Sequence, residues 1–249
     1  MPDPTPAPPD PPGAPGASGP ALEPRQRWRL VVARDADAPV RTQRELADDW
    51  EAAIVAAGVP LARTGDARSR PRISFGAPLP VGIAAEADLI DLVLTERWPA
   101  WRLREVLVPV LPPGWRLVDV HDVWLAGPAL AGRVAAADHR VVLSGSAGTP
   151  VDGERIARAA VELLAARAVT RERARGGATV AYDLRPLLVD LAVTDAGPPP
   201  VLHVRTRLHP ELGTGRPEEV VAALADHLGV SLSVESIVRL RLLLVDDLV

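Results

Sequence analysis

The sequence predicts an α+β protein in two halves, each running β-α-β-β-α-β. Three observations predict it. Short apolar or alternating stretches take turns with stretches of helical spacing. Capping and stop residues flank the helical ones. Proline and glycine punctuate the rest. This element order is the split βαβ pattern, so the expected architecture is two ferredoxin-like halves packed together. The expected boundaries are a disordered Pro-rich tail at 1–25, a first half at 26–126, and a second half at 127–249 with an extra hairpin.

Residues 1–24 hold ten prolines with Gly, Ala and Ser between them, and Leu22 is nearly the only apolar anchor. Burial there cannot offset the entropy of ordering, so a polyproline-II-like tail is expected. It has neither the charged nor the apolar region of a signal peptide. The first half opens with Arg27–Arg34 (RWRLVVAR), which alternates as a strand does. Thr42-Gln43-Arg44-Glu45 has capping-box spacing. Leu46, Trp50, Ile54 and Ala57 follow on one helical face, and Gly58 suits the position after the helix end. Residues 71–77 and 87–94 read as strands around the turn-rich Pro78–Gly82. Leu103, Val106, Leu107, Val110 and Leu111 form the stripe of a second helix, stopped by Pro112-Pro113-Gly114. Trp115–Trp124 closes the half as a strand.

A Gly/Ala-rich stretch, 126–137, reads as the link. His139–Ser144 is a predicted strand, and Asp152 is placed to cap a helix carrying Ile156, Ala160, Leu163 and Leu164. Residues 168–183 suit a hairpin around Gly176-Gly177. Leu187–Thr194 and Val201–Leu208 are predicted strands. Pro217-Glu218-Glu219 opens a helix lined by Val221, Leu224 and Leu228 and ended by Gly229. Ile237–Val245 is the predicted closing strand.

Composition bounds the chemistry. Among 249 residues there is no Cys, and all 28 basic residues are Arg. This excludes disulfides, thiol catalysis, Cys-ligated clusters, a Walker-type lysine and Schiff-base chemistry. The net charge is −4, and the tail residues Asp3, Asp10, Glu23 and Arg25 sum to −2, so the body is nearly neutral. That balance is not the footprint of a general nucleic-acid binder. The Arg bias fits GC-rich coding. No apolar run is long enough for a membrane-spanning helix. With no export signal and no Cys, a cytoplasmic location is expected.

Residues 42–94 carry a family resemblance. Ala57-Gly58-Val59-Pro60, Arg70-Pro71-Arg72-Ile73-Ser74-Phe75, Pro78-Leu79-Pro80-Val81-Gly82, Glu86-Ala87-Asp88 and Asp91 resemble the radical SAM-linked protein family. This is a bacterial domain of unknown function found beside, or fused to, radical SAM proteins with cobalamin-binding regions. Asp183-Leu184-Arg185-Pro186, Arg216-Pro217-Glu218-Glu219 and Arg239 look like family positions in the second half. The sequence departs from the family pattern in three places. Thr42-Gln43-Arg44-Glu45 stands where the family has Ser-His-Leu-Asp, which removes a titratable His at Gln43. Asp66-Ala67-Arg68-Ser69 replaces Gly-Phe-Asn-Pro, which removes an aromatic ring at Ala67. After Arg239 only Leu240 keeps the family residue.

No catalytic or metal-ligating set emerges. The five His residues have no metal-ligand spacing and are expected on the surface. No nucleophile motif is present. Ser144–Gly148 lacks the lysine of a phosphate loop. Asp48, Asp49 and Glu51 read as a solvated helix face, and Asp246-Asp247 as a solvated terminus. The six Trp read as core or interface. The Arg63–Arg72 segment is the stronger candidate, because Arg68, Arg70 and Arg72 crowd a loop and guanidinium forks suit phosphate or carboxylate. The bland alternative pairs these arginines with the acidic helix. A second basic surface comes from alternation, with His203, Arg205, Arg207 and His209 on one face of a strand and Arg239 with Arg241 on another. The expected ligand- or partner-binding set is Arg68, Arg70, Arg72, Arg185, Arg205, Arg207 and Arg239, with no cofactor. The resemblance implies a non-catalytic accessory or substrate-presenting module for a separately encoded radical SAM protein. The alternative is an RNA-binding or RNA-processing protein.

Overall fold

The computed structural model describes residues 23–65, 69–145, 152–175 and 177–248. The expected tail therefore lies outside the described residues as far as residue 22, as does Gly176 of the expected hairpin turn.

The first half comprises β1 (Gln26–Arg34), α1 (Gln43–Ala56), β2 (Ile73–Phe75), β3 (Ala84–Leu94), α2 (Ala100–Leu107) and β4 (Trp115–Val123). Its strands run in the spatial order β4-β1-β3-β2, and every pairing is antiparallel. The second half comprises β5 (Val134–Gly145), α3 (Gly153–Ala165), the hairpin β6 (Thr170–Arg175) and β7 (Ala178–Asp183), β8 (Leu188–Asp195), β9 (Val201–His209), β10 (Gly213–Thr214), α4 (Pro217–Leu228) and β11 (Leu232–Leu244). Its order is β11-β5-β9-β8, again antiparallel throughout. The fold is mixed α+β, with four α-helices among the described residues. One nine-stranded, mostly antiparallel sheet runs through both halves. The halves join where β11 pairs parallel with β3, Val238 opposite Ala84 and Arg239 opposite Ala85.

Local chemistry explains the helix ends. Thr42 and Glu45 form the capping box of α1, and Asp152 accepts from the N–H groups of Glu154 and Arg155 at the start of α3. Gly229 ends α4 in the left-handed region, at φ 64°, where a Cβ would be penalised. Gly153 has no room for a Cβ, because the backbone of Ala196 lies against it.

Two clusters form the main core. Trp28, Leu30, Leu46, Trp50, Ile54, Ile90, Leu92, Leu103 and Leu107 pack α1 and α2 on the first half. Val141, Ile156, Leu163, Leu184, Leu191, Val204, Val221 and Leu224 pack α3 and α4 on the second. A smaller cluster of Leu130, Val134, Ala137 and Leu242, with Ala77 and Leu89 against it, fills the junction.

Several expectations shift. The link is shorter than 126–137, because β5 takes in Ala135–Ala137. Ala136 and Ala137 are buried in the sheet interior, paired on one side with β9 and on the other with β11. The second α-helix stops at Leu107, since Pro109 cannot donate and its ring crowds the carbonyl four residues back. Only Leu103 and Leu107 of its stripe are fully buried. The strand expected at 71–77 shortens to β2, while β11 begins five residues before the predicted Ile237. Trp28, Trp50, Trp98 and Trp115 are buried as expected, but Trp101 and Trp124 are exposed. His139 is buried rather than on the surface, because it sits between β11 and β9 in the sheet interior. No helix among the described residues is long and apolar enough to cross a membrane.

Candidate functional site: a charged groove beside the first-half sheet

The capping box fixes where α1 starts. The Glu45 carboxylate accepts from the Thr42 N–H at 2.7 Å, and the Thr42 hydroxyl accepts from the Glu45 N–H at 3.3 Å. The Thr42 backbone bond holds the Glu45 pKa below its ordinary value. From that start, Leu46, Trp50 and Ile54 fall into the core. Arg44, Ala47, Asp48 and Glu51 line the opposite wall of a groove.

The facing wall is the matched run that begins at Arg70. Ile73 pairs with Leu92 and Phe75 with Ile90, which fixes β2 on the edge of β3. Arg70 is anchored through its backbone: its N–H donates to the Thr64 hydroxyl at 2.9 Å, and its carbonyl accepts from the Thr64 N–H at 2.8 Å. Arg70, Pro71, Ile73 and Phe75 enclose, with α1, a groove of about 660 Å³. It carries two guanidinium groups, Arg44 and Arg70, and two carboxylates, Asp48 and Glu51. Among the described residues these four make no ion pair with one another. The acidic helix and the arginine loop thus meet across open space, charged on both sides. Such a groove can hold a polar ligand or a partner's side chains by charge complementarity.

The remaining candidates divide. Arg68 lies outside the described residues. Arg72, just before β2, lines a second pocket of about 280 Å³ that adjoins the groove at Pro71 and Ile73. Arg185 spends its guanidinium on the carbonyls of Leu164 and Leu188, at 3.0 and 2.8 Å, and so closes the last turn of α3. Arg205 forms a fork on Asp138 at 2.6 and 3.1 Å. Arg207 leaves its Nε buried and without a partner. Arg239 is 3% exposed and donates to Asp88 at 2.7 Å and to the Pro78 carbonyl at 2.8 Å. The structure therefore brings Arg70 to the groove and ties Arg185, Arg205 and Arg239 into the framework.

The carboxylates that hold this framework escaped the sequence reading as sites. Asp91 accepts from Arg27 and Arg29 at 2.8 Å each, and it is 1% exposed. Asp138 gathers Arg205, Arg241 and His203. Burial pushes its carboxyl up, but the hydrogen bonds of Arg205 and Arg241 and the neighbouring positive charges outweigh that and lower its pKa. The legible signal was an Asp inside an apolar strand, as in Leu89-Ile90-Asp91-Leu92, since such an acid needs a cation. Burial and the Arg239 charge push the adjacent His139 down to about 4. No group of three or more metal-ligating side chains occurs among the described residues.

A family model described as an uncharacterized protein conserved in bacteria (DUF2344) matches residues 27–235. This chain belongs to that family. No curated protein matches it. Among solved structures, a chain described as a "putative glycine cleavage system transcriptional repressor" is similar at 12% identity, covering 86% of this chain and 98% of that one. Its TM-score of 0.27 carries no argument about fold or function. The family match takes in both walls of the groove. Of the departures from the expected pattern, Gln43 borders a small pocket with Leu46, Phe75, Asp88 and Trp115, and Ala67 lies outside the described residues.

Proposed function

We propose that this protein is a non-catalytic accessory module that holds a substrate or a partner segment in the α1–β2 groove for a separately encoded radical SAM protein. One observation carries the reading. The run Arg70–Phe75, which resembles the radical SAM-linked family most closely, forms one wall of the groove, and α1 with its departed start forms the other. We further read each half as ferredoxin-like, because the element order β-α-β-β-α-β and the spatial order 4-1-3-2 occur in both. The RNA reading rests on the tandem ferredoxin-like order and on two arginine surfaces, the Arg63–Arg72 loop and the strands of the second half. Arg185 and Arg239 are committed to internal partners and Arg205 to Asp138, so less of that surface is available for phosphates.

The test is co-purification with a radical SAM protein encoded beside this gene. Arg70→Ala combined with Glu51→Ala removes one charge from each wall without touching the core. Retention by the wild type and a loss of about tenfold in the double variant is the expected outcome. Equal retention by both, or no retention by the wild type, overturns the reading. Retention of RNA in place of the protein favours the RNA reading.

A further inference from the structure

We propose that the second pocket, lined by Arg72, is a binding site for a phosphate monoester group. Arg72 and Ser74 are its donors, over a buried cationic floor. The pocket holds about 280 Å³ and is lined by Arg27, Arg72, Ser74, Asp91 and, from the link between the halves, Gly127 and Ala129.

The charge balance points to an anion. Arg27 gives its Nε to Asp91 at 2.8 Å and its two Nη groups to the carbonyls of Gly127 and Pro128, each at 2.9 Å. Arg29 places its Nε on one Asp91 oxygen at 2.8 Å and an Nη on the other at 3.0 Å. Two buried guanidinium groups thus share one carboxylate, and a surplus positive charge stays out of water. A surplus charge in such surroundings projects its field toward the nearest opening. Among the described residues Asp91 is the only carboxylate lining the pocket, and both of its oxygens are already engaged.

Arg72 adds a second positive charge. Its backbone is pinned on both sides, the N–H to the Ala62 carbonyl at 2.8 Å and the carbonyl to the Val93 N–H at 3.1 Å. Its exposed guanidinium has no partner among the described residues. Ser74 stands opposite Asp91 across the β2–β3 pair, so its hydroxyl shares that side of the strand. The two surplus charges match a group carrying close to two negative charges at neutral pH. A phosphate monoester fits this, and a single carboxylate does not. The pocket shares Pro71 and Ile73 with the α1–β2 groove, but Arg72, Ser74 and Asp91 line only this pocket, and Arg44, Asp48, Glu51 and Arg70 line only the groove.

Inorganic phosphate is the probe, titrated calorimetrically into the full chain at constant ionic strength, with acetate as the monoanion comparator. The expected result is saturable phosphate binding, with acetate at least about tenfold weaker. Arg72→Ala lowers phosphate affinity by about tenfold or more, the scale of one charge-assisted contact. Arg41→Ala, at a surface arginine paired with Asp49 that does not line the pocket, leaves it within about twofold. Absence of saturable binding overturns the proposal. So does acetate binding as tightly as phosphate, or an equal loss in both variants. The outcome does not depend on any radical SAM partner.

Discussion

Asp91 shows how much one residue carries. Among the described residues its carboxylate is the only counter-charge for Arg27 and Arg29, and all three side chains are buried. Asp91→Ala strands two guanidinium groups in the sheet and should cost about 3–5 kcal/mol. Asp49, paired with Arg41 on the surface, should cost well under about 1 kcal/mol when replaced by Ala. Urea unfolding of the two variants checks the contrast, and similar midpoints would refute it. His139 offers a pH-dependent test. Its folded pKa is about 4, against 6.5 for the ordinary group. As pH falls from 6.5 to 4, the unfolded chain takes up the proton and the folded chain does not. Stability is therefore lost across that window, by about 3 kcal/mol from this group. His139→Leu should flatten the acid limb by that amount in unfolding measured at a series of pH values. An unchanged slope would place the shift elsewhere.

At the scale of elements, caps decided much of what could be read in advance. Thr42, Asp152, Pro217 and Gly229 each mark a helix end that the structure reproduces, because a cap acts through bonds within one turn of the chain. Thr42→Ala should cost about 1 kcal/mol, and Gly229→Ala a similar amount from its left-handed backbone. Chemical unfolding of the two single variants measures both. A cost near zero for Thr42→Ala would mean that tertiary packing alone sets the start of α1. Strand limits were less legible. The residues Ala135–Ala137 carry no strand propensity, and their place in β5 follows from close neighbours on β9 and β11.

Over the whole molecule, the decisive feature is the seam. Arg239 on β11 reaches across to Asp88 on β3 and to the carbonyls of Pro78 and Ala77, so a second-half side chain satisfies first-half groups. The shared sheet and this contact predict that the halves unfold together. Calorimetry should give one transition for the wild type. Arg239→Ala should lower its midpoint sharply, with about 3–5 kcal/mol lost from the unpaired Asp88. Two well-separated transitions in the wild type would contradict this coupling.

The succession of the main helices and strands, most helix ends, and Arg70–Phe75 as the segment to watch were legible along the chain, while short β10 was not. Those properties live in spacing and in contacts within a few residues. Only the tertiary structure decided which arginines were free. Arg70, Arg72, Arg205 and Arg239 look alike in the chain, yet the first two line different pockets while Asp138 and Asp88 claim the others. A guanidinium is available to a ligand only if no carboxylate far along the chain has been folded against it. The partners of Arg239 lie more than 150 residues away. That pairing is set by sheet order, which no local pattern encodes.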